Sequence, residues 1–221
     1  MKILVFLGSI RQSQPPKPAR LGARVARAMA AHLSSGNSDD VIEIIDPLEY
    51  DLGEVFKPYF AYAPKNAPQA LATLADKIRQ ADGYVMVSPE YNHSMSPALA
   101  HLLNHFGSSL YGFKPSLIVT YSAGQWGGAR AAVGMRTFLG ELGCLAVSAM
   151  IHLPKAQDVF EEDGSYADGV DGSRWESYFA RGSAQLRWWA EAAKAQRSAV
   201  NPDDAIGHFT KTPEQRNAPG S

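Results

Sequence analysis

The sequence predicts an α/β protein, a three-layer sandwich with helices on both faces of a five-stranded parallel sheet. Three observations predict it. Short, continuous apolar runs stop abruptly at glycine, serine or proline, as strands buried on both faces do. Between them lie segments whose apolar residues recur every three or four positions, the period of a helix face. The two kinds of segment alternate five times, a pattern that builds a parallel sheet with right-handed crossovers.

The elements follow in order. Ile3 to Leu7 (ILVFL) is the first buried strand, and Gly8-Ser9 ends it. A loop containing Pro15, Pro16 and Pro18 leads to a helix whose apolar face is Leu21, Val25, Met29 and Leu33. Arg20, Arg24 and Arg27 form a separate stripe on it. Val41 to Ile45 is the second strand, stopped by Asp46-Pro47. Residues 47–68 are irregular and carry five aromatics, Tyr50, Phe56, Tyr59, Phe60 and Tyr62. A helix is expected at about 68–80, a third strand at Tyr84 to Ser88, and a helix from Pro97 to Phe106 with proline suitably near its start. Leu117 to Tyr121 is the fourth strand, Gly128 to Leu142 a helix, and Leu145 to Met150 the fifth strand. In the last helix Trp175, Phe179, Gly182, Leu186, Trp189 and Ala193 form a core-facing stripe, with Trp188 off it. From Ala199 the chain turns polar, with Pro202, Pro213 and Pro219. Residues 1–198 therefore read as one domain and 199–221 as a tail.

Composition narrows the function classes. With 221 residues, 45% hydrophobic and 19% charged, the chain is neither disordered nor fibrous. A net charge of −1 gives no global field for nucleic acid or an anionic membrane, so neither is expected as a partner. The one cysteine, Cys144, cannot form an intramolecular disulfide and fits a reducing compartment as a buried, inert thiol. The apolar run after Lys2 is too short for a signal sequence, and no stretch approaches the roughly 20 apolar residues of a membrane helix. A soluble, cytoplasmic protein is expected. Arg11, Lys17, Arg20, Arg24 and Arg27 form a run without an acid, which reads either as a solvated helix face or as a phosphate contact.

The first turn chooses between two doubly wound folds. A dinucleotide fold wants G-x-G-x-x-G after strand 1, whereas this chain has Gly8-Ser9-Ile10-Arg11-Gln12-Ser13 and no Walker A sequence. That favours the flavodoxin-like order 2-1-3-4-5, in which the loops after strands 1, 3 and 4 lie together at the switch in strand order. Loop 1 offers backbone N–H groups, the Ser9 and Ser13 hydroxyls and the Arg11 guanidinium before a helix N-terminus, which favours an anion, although an ordinary βα turn looks similar. Loop 3, Ser88-Pro89-Glu90-Tyr91-Asn92-His93-Ser94, combines an aromatic ring with amide and hydroxyl groups and suits a flat heterocycle with polar edges; the alternative is an Asx-type turn. Loop 4, Ser122-Ala123-Gly124-Gln125-Trp126-Gly127-Gly128, has three glycines that let backbone N–H groups approach a ligand.

These three segments, "GSIRQS", "SPEYNHSMSPAL" and "KPSLIVTYSAGQWGGARA", resemble the NADPH-dependent FMN reductase family, which includes quinone, chromate and azo reductases. Pro-Glu-Tyr-Asn at this position is the family's hallmark, and the likeness covers about residues 1–150 in order. The resemblance implies bound FMN, a pyridine-nucleotide donor (NADPH), a small-molecule electron acceptor and a homodimer or homotetramer. Residue by residue, Ser9, Arg11 and Ser13 match the phosphate loop. Pro89, Glu90, Tyr91, Asn92 and His93 match the loop beside the isoalloxazine, and Ser122, Gly124, Gln125, Trp126 and Gly127 the loop along its pyrimidine side. Backbone donors there would stabilise the negative charge of a reduced flavin.

Departures from the pattern carry expectations of their own. Loop 1 is longer than usual and lacks the asparagine that often follows the phosphate-loop serine, so Arg20 or Arg24 is expected to substitute. The arginine run together with Arg130 predicts a preference for NADPH through its 2′-phosphate. In helix 3 the family's frequent Lys-Asn…Asp-Trp is Ala100-His101…Asn104-His105. His101 and His105 have chelating spacing, but no third ligand is near in sequence, and no metal is expected. Glu90 reads as an anchor of loop 3. No catalytic side chain is expected, because hydride transfer through a flavin needs no strong acid or base. The competing readings are a flavodoxin-type electron carrier, which the near-zero charge opposes, and a flavin-based redox sensor.

Overall fold

The structure, a computed structural model, describes residues 1–12 and 20–205. Ser13, the loop prolines Pro15, Pro16 and Pro18, and the tail beyond Ala205 lie outside the described residues. The sheet is built from β1 (Lys2–Leu7), β2 (Val41–Ile45), β3 (Gly83–Tyr91), β4 (Ser94–Met95), β5 (Pro115–Tyr121) and β6 (Leu145–Leu153). Five of these strands are parallel in the order β2-β1-β3-β5-β6, and the two-residue β4 folds back antiparallel on β3. That is the predicted flavodoxin-like order 2-1-3-4-5. The hairpin strand β4 shifts the numbering by one.

Period-two alternation divides the core into two layers. Ile3, Val5 and Leu7 of β1 face α1 (Leu21–Gly36) and α7 (Gly172–Ala199), where Val25, Met29, Leu33, Phe179 and Leu186 are buried. Leu4 and Phe6 face the opposite layer. There α2 (Gln69–Gln80), α3 (Pro97–Asn104), the single turn α4 (Ser108–Tyr111) and α5 (Ala129–Glu141) bury Leu74, Ile78, Leu102 and Met135. Each such side chain contributes about 1.5–3 kcal/mol on burial. Short α6 (Ala156–Val159) follows β6, and α8 (Pro202–Ala205) follows α7. Among the described residues no helix is long and apolar enough to cross a membrane.

Three differences from the expected elements have physical causes. First, β3 runs on through Pro89, Glu90 and Tyr91, which the sequence placed in a loop. The Val87 carbonyl accepts the Gly8 N–H at 2.7 Å, so Val87 faces β1, and by the strand period Pro89 faces the same side. There β1 has already ended at the Leu7–Val87 pair, so the missing proline N–H costs no ladder bond. Second, β6 extends to Leu153, past the expected Met150, because β5 stays paired with it to Tyr121. Third, Trp189 is not core. It is 45% exposed, because the second half of the 28-residue α7 overruns the sheet. Charge pairs pin that overhang. Arg187 pairs with Asp40, and Lys194 and Arg197 pair with Asp82 at 3.0 and 3.4 Å.

Candidate functional site

The switch in strand order lies between β1 and β3, and the loops after β1, β3 and β5 gather at the carboxyl ends there. Hydrogen bonds lock the first two together. Ser96 caps α3 by accepting the Leu99 N–H at 3.0 Å, and the same hydroxyl donates to the Gly8 carbonyl at 2.5 Å. The Ser96 N–H donates to Ser88 Oγ at 2.9 Å. A Cβ on Gly8 would lie 2.5 Å from the Val87 carbonyl oxygen and 2.9 Å from Leu99 Cβ, so only glycine lets β1 exit this close to β3.

Beyond Gly8, Ser9 is buried, and its hydroxyl accepts the Arg11 N–H at 3.3 Å. On its other side Ser9 meets the Tyr121 phenol. Burial raises that phenol well above its ordinary range, against the lowering effect of the Ser9 hydrogen bond. Ile10, Arg11 and Gln12 are exposed. The arginines of α1 are committed elsewhere. Arg20 pairs with Asp46 at 2.5 Å, Arg24 donates to the Phe160 carbonyl at 2.8 Å, and Arg27 donates to the Glu162 carbonyl at 2.6 Å. The sequence expected Arg20 or Arg24 to serve an anion in loop 1. In the structure they tether α1 to β2 and to the segment after α6. Arg11 is the exposed guanidinium left at this loop.

The β3–β4 hairpin turns through Asn92 and His93, both left-handed, at φ 49° and 64°. Two left-handed residues make the twist a two-residue hairpin needs, and Asn suits the first. Histidine in the second place is strained, since glycine normally sits there. Tyr91, Asn92 and His93 project into solvent as one exposed tip, while Pro89 is buried beneath. Glu90 points back. Its Oε1 accepts from Arg130 Nε of α5 at 2.9 Å, and its Oε2 is buried with no partner among the described residues.

In the loop after β5 the Ser122 hydroxyl donates to the Gly124 carbonyl at 2.8 Å and accepts the Gly127 N–H at 2.9 Å, so it shapes the loop from within. Gly127 and Gly128 are left-handed, at φ 61° and 78°. A Cβ on Gly127 would lie 3.0–3.1 Å from the backbone of His152, Leu153 and Pro154; that glycine serves a close backbone crossing. Gly124 differs, since a Cβ there would meet nothing within 4 Å. The N–H groups of Gly124, Gln125 and Trp126 have no partner among the described residues. Trp126 is 63% exposed, with the Arg130 guanidinium 5.6 Å from its ring centre. From the β6 side, Lys155 N–H and Gln157 Nε2 hold the Gly124 and Ala123 carbonyls at 2.9 and 3.1 Å.

The result is an open shelf at the carboxyl edge of the sheet. It offers a row of free amides, an orphaned carboxylate oxygen, the exposed rings of Tyr91 and Trp126, and the guanidinium groups of Arg11 and Arg130. These donors fit a flat ligand with polar edges that carries an anionic group. The shelf is distinct from a cavity of about 640 Å³ at the amino ends of β5 and β6, lined by Phe113, Cys144 and Trp189 among others. We assign function to the shelf because the free polar groups converge there, whereas that cavity is largely apolar. Among the described residues no group of three or more His, Cys, Asp and Glu side chains stands close enough to hold a metal.

Sequence reasoning missed Tyr121 and Ser96, and it used Arg130 only as a charge for a 2′-phosphate. Ser96 carried a usable signal, a serine just before a helix-opening proline. Tyr121 and Arg130 carried none, because their partners Ser9 and Glu90 are distant in sequence.

Comparison with known proteins bears on the family and the fold. A sequence profile of the NADPH-dependent FMN reductases matches residues 1–158. The NADH:(hydroxy)cinnamate reductase subunit CrdA of Vibrio ruber is 38% identical over 106 residues, covering 46% of this chain and 52% of that protein. A quinone reductase of Pseudomonas putida is 27% identical over 172 residues, 75% of this chain and 84% of its own. The chain thus spans about half the length of the first of these relatives and most of the second. Among solved structures, the flavoenzyme NAD(P)H:(acceptor) oxidoreductase FerB of Paracoccus denitrificans shares the fold at a TM-score of 0.65 and 19% identity, over 84% of this chain and 97% of that one. Strand order, the shelf and a profile match that runs from β1 into α6 all point the same way, and the chain belongs to the NADPH-dependent FMN reductase family.

Proposed function

We propose that the protein oxidises NAD(P)H and reduces a small quinone-class acceptor at the shelf formed by the loops after β1, β3 and β5. The observation that carries this reading is the row of amides at Gly124, Gln125 and Trp126, without partners among the described residues, in the loop after β5 at the carboxyl edge of the sheet. FMN, when bound, supplies the hydride chemistry. The chain's own groups bind and orient. Arg11, Ser9 and the backbone after Gly8 would hold the FMN phosphate. Amides of the loop after β5 would donate to the flavin and favour negative charge there. Tyr91, Asn92 and His93 wall one side, and Glu90 fixes Arg130 and through it Trp126.

No side chain is required to move a proton in the chemical step. A shelf with one open face admits the nicotinamide or a flat acceptor, one at a time, so turnover is ping-pong. The relative from Pseudomonas putida, named a quinone reductase, supports the acceptor class. Val55, Phe56 and Phe60 are exposed in the irregular segment before α2, an apolar patch that supports a homo-oligomer. The free, buried Cys144 supports a reducing, cytoplasmic setting. Steady-state kinetics with NADPH and a benzoquinone test the reading. Parallel double-reciprocal lines are expected, and intersecting lines would mean that both substrates bind together. Sedimentation velocity tests the assembly, and a fully active monomer would remove it.

A further inference from the structure

The helix α3 carries two imidazoles, His101 and His105, that the reaction above does not use. Their Nε2 atoms lie 3.3 Å apart, while the ring centres are 4.7 Å apart, so the rings approach each other through the same nitrogen. Two imidazole nitrogens bound at ~2.0–2.1 Å to one cation sit about 2.9–3.4 Å from each other, the range from a right-angled to a tetrahedral shell. At that distance one Nε2 also hydrogen-bonds to the other, so the pair is pre-converged before any cation arrives.

The surroundings also suit ligation. His105 is fully buried, and its Nδ1 has no hydrogen-bond partner among the described residues. Phe56 packs over both rings, at 5.7 Å from His101 and 4.8 Å from His105. The Tyr59 N–H donates to the His105 carbonyl at 2.7 Å and holds the covering segment on α3. His101 is exposed and opens on a cavity of about 470 Å³ that Asn104 and Phe60 also line. That space leaves room for water in the remaining coordination positions, which no third His, Cys, Asp or Glu fills among the described residues.

We propose that His101 and His105 form an open two-imidazole site for a divalent late first-row transition-metal cation such as Ni²⁺, Cu²⁺, Co²⁺ or Zn²⁺, with water completing the shell. The all-nitrogen donor pair rejects Mg²⁺ and Ca²⁺, which want oxygen. The spacing of the pair is chelating in the sequence but, with no third ligand near, carried no expectation of a metal; the convergence of the two nitrogens is what argues for one.

The test is calorimetric titration of the untagged, FMN-loaded, chelator-stripped protein with Ni²⁺, Cu²⁺ and Mg²⁺ in a non-coordinating buffer. The expected result is saturable binding of about one cation per chain, tighter for Cu²⁺ than for Ni²⁺, with no heat from Mg²⁺. His101→Gln, at an exposed position, is expected to weaken Ni²⁺ binding at least tenfold with circular dichroism and melting unchanged. That variant keeps His32, His93, His152 and His208, so it separates this pair from other imidazoles. Absence of saturable Ni²⁺ and Cu²⁺ binding, or an unchanged Ni²⁺ affinity in His101→Gln, would overturn the proposal.

Discussion

Glu90 and Arg130 join the end of β3 to the first turn of α5 through an Oε1–Nε contact of 2.9 Å, and the same guanidinium lies beside the Trp126 ring. Glu90 is nearly buried and Arg130 about half exposed. The pair positions the shelf more than it stabilises the fold, since partly exposed ion pairs contribute ~1 kcal/mol or less. Glu90→Gln keeps an acceptor for Arg130. Its rate of bound-flavin reduction is expected within about tenfold of wild type, a barrier change under ~1.4 kcal/mol. Stopped-flow reduction by NADPH measures it. A loss of roughly a thousandfold with FMN still bound would make Glu90 a proton-transferring group.

Among the described residues Arg11 is the cation left exposed at loop 1, because Arg20, Arg24 and Arg27 hold Asp46 and two carbonyls. Arg11→Ala is expected to weaken FMN binding by about 1.5–3 kcal/mol, the range for a charged hydrogen bond. Arg20→Ala is expected to lower stability and leave FMN affinity nearly unchanged. Equilibrium dialysis of both variants distinguishes them, and equal losses of FMN would place Arg20 at the phosphate.

The same commitments bear on the nucleotide. Sequence reasoning drew an NADPH preference from the arginine run and Arg130, yet the structure gives four of those arginines acceptors of their own. A discrimination between NADPH and NADH of under about tenfold in kcat/KM is expected, less than ~1.4 kcal/mol. A hundredfold or greater preference, on the order of 2.7 kcal/mol, would require a dedicated 2′-phosphate site.

Acid sensitivity follows from Glu176 and Asp40. Burial pushes the Glu176 carboxyl up, but hydrogen bonds from the Tyr166 hydroxyl and from His32 outweigh it, and the group lies below its ordinary value. For Asp40, burial is likewise outweighed, by the Met1 ammonium and Arg187. A carboxyl lowered in the folded state contributes stability above its unfolded value, and that contribution is lost as pH falls through the folded value. Stability is therefore expected to fall on acidification below about pH 4.5, and Glu176→Gln to flatten that fall. Urea melts across this range test it, and an identical slope in the variant would contradict it.

Strand order and the placement of the three loops were legible in the sequence because both depend on local signals. Continuous apolar runs mark buried strands, and Gly8-Ser9 and Asp46-Pro47 sit where the first two of them end. The two layers were legible as well, since Val25, Met29 and Leu33 keep the helix period without interruption. What was not legible depends on contacts across the chain. The sequence shows five basic residues in a row of segments, but not that Asp46 and the Phe160 carbonyl take up Arg20 and Arg24. It shows Pro89 as a breaker, but not that β1 ends early enough to leave its nitrogen unopposed. It shows Trp189 in phase with the core stripe, but not that the sheet ends before the helix does.

The central claim is that the shelf holds FMN and that NAD(P)H reduces it without another protein. Anaerobic titration of the purified protein with NADPH, followed by absorption, tests this most directly. The expected result is an oxidised flavin spectrum that bleaches with one equivalent of NADPH per bound FMN and returns on addition of a benzoquinone. Bound flavin that bleaches only when a separate reductase is added would contradict the account and identify an electron carrier.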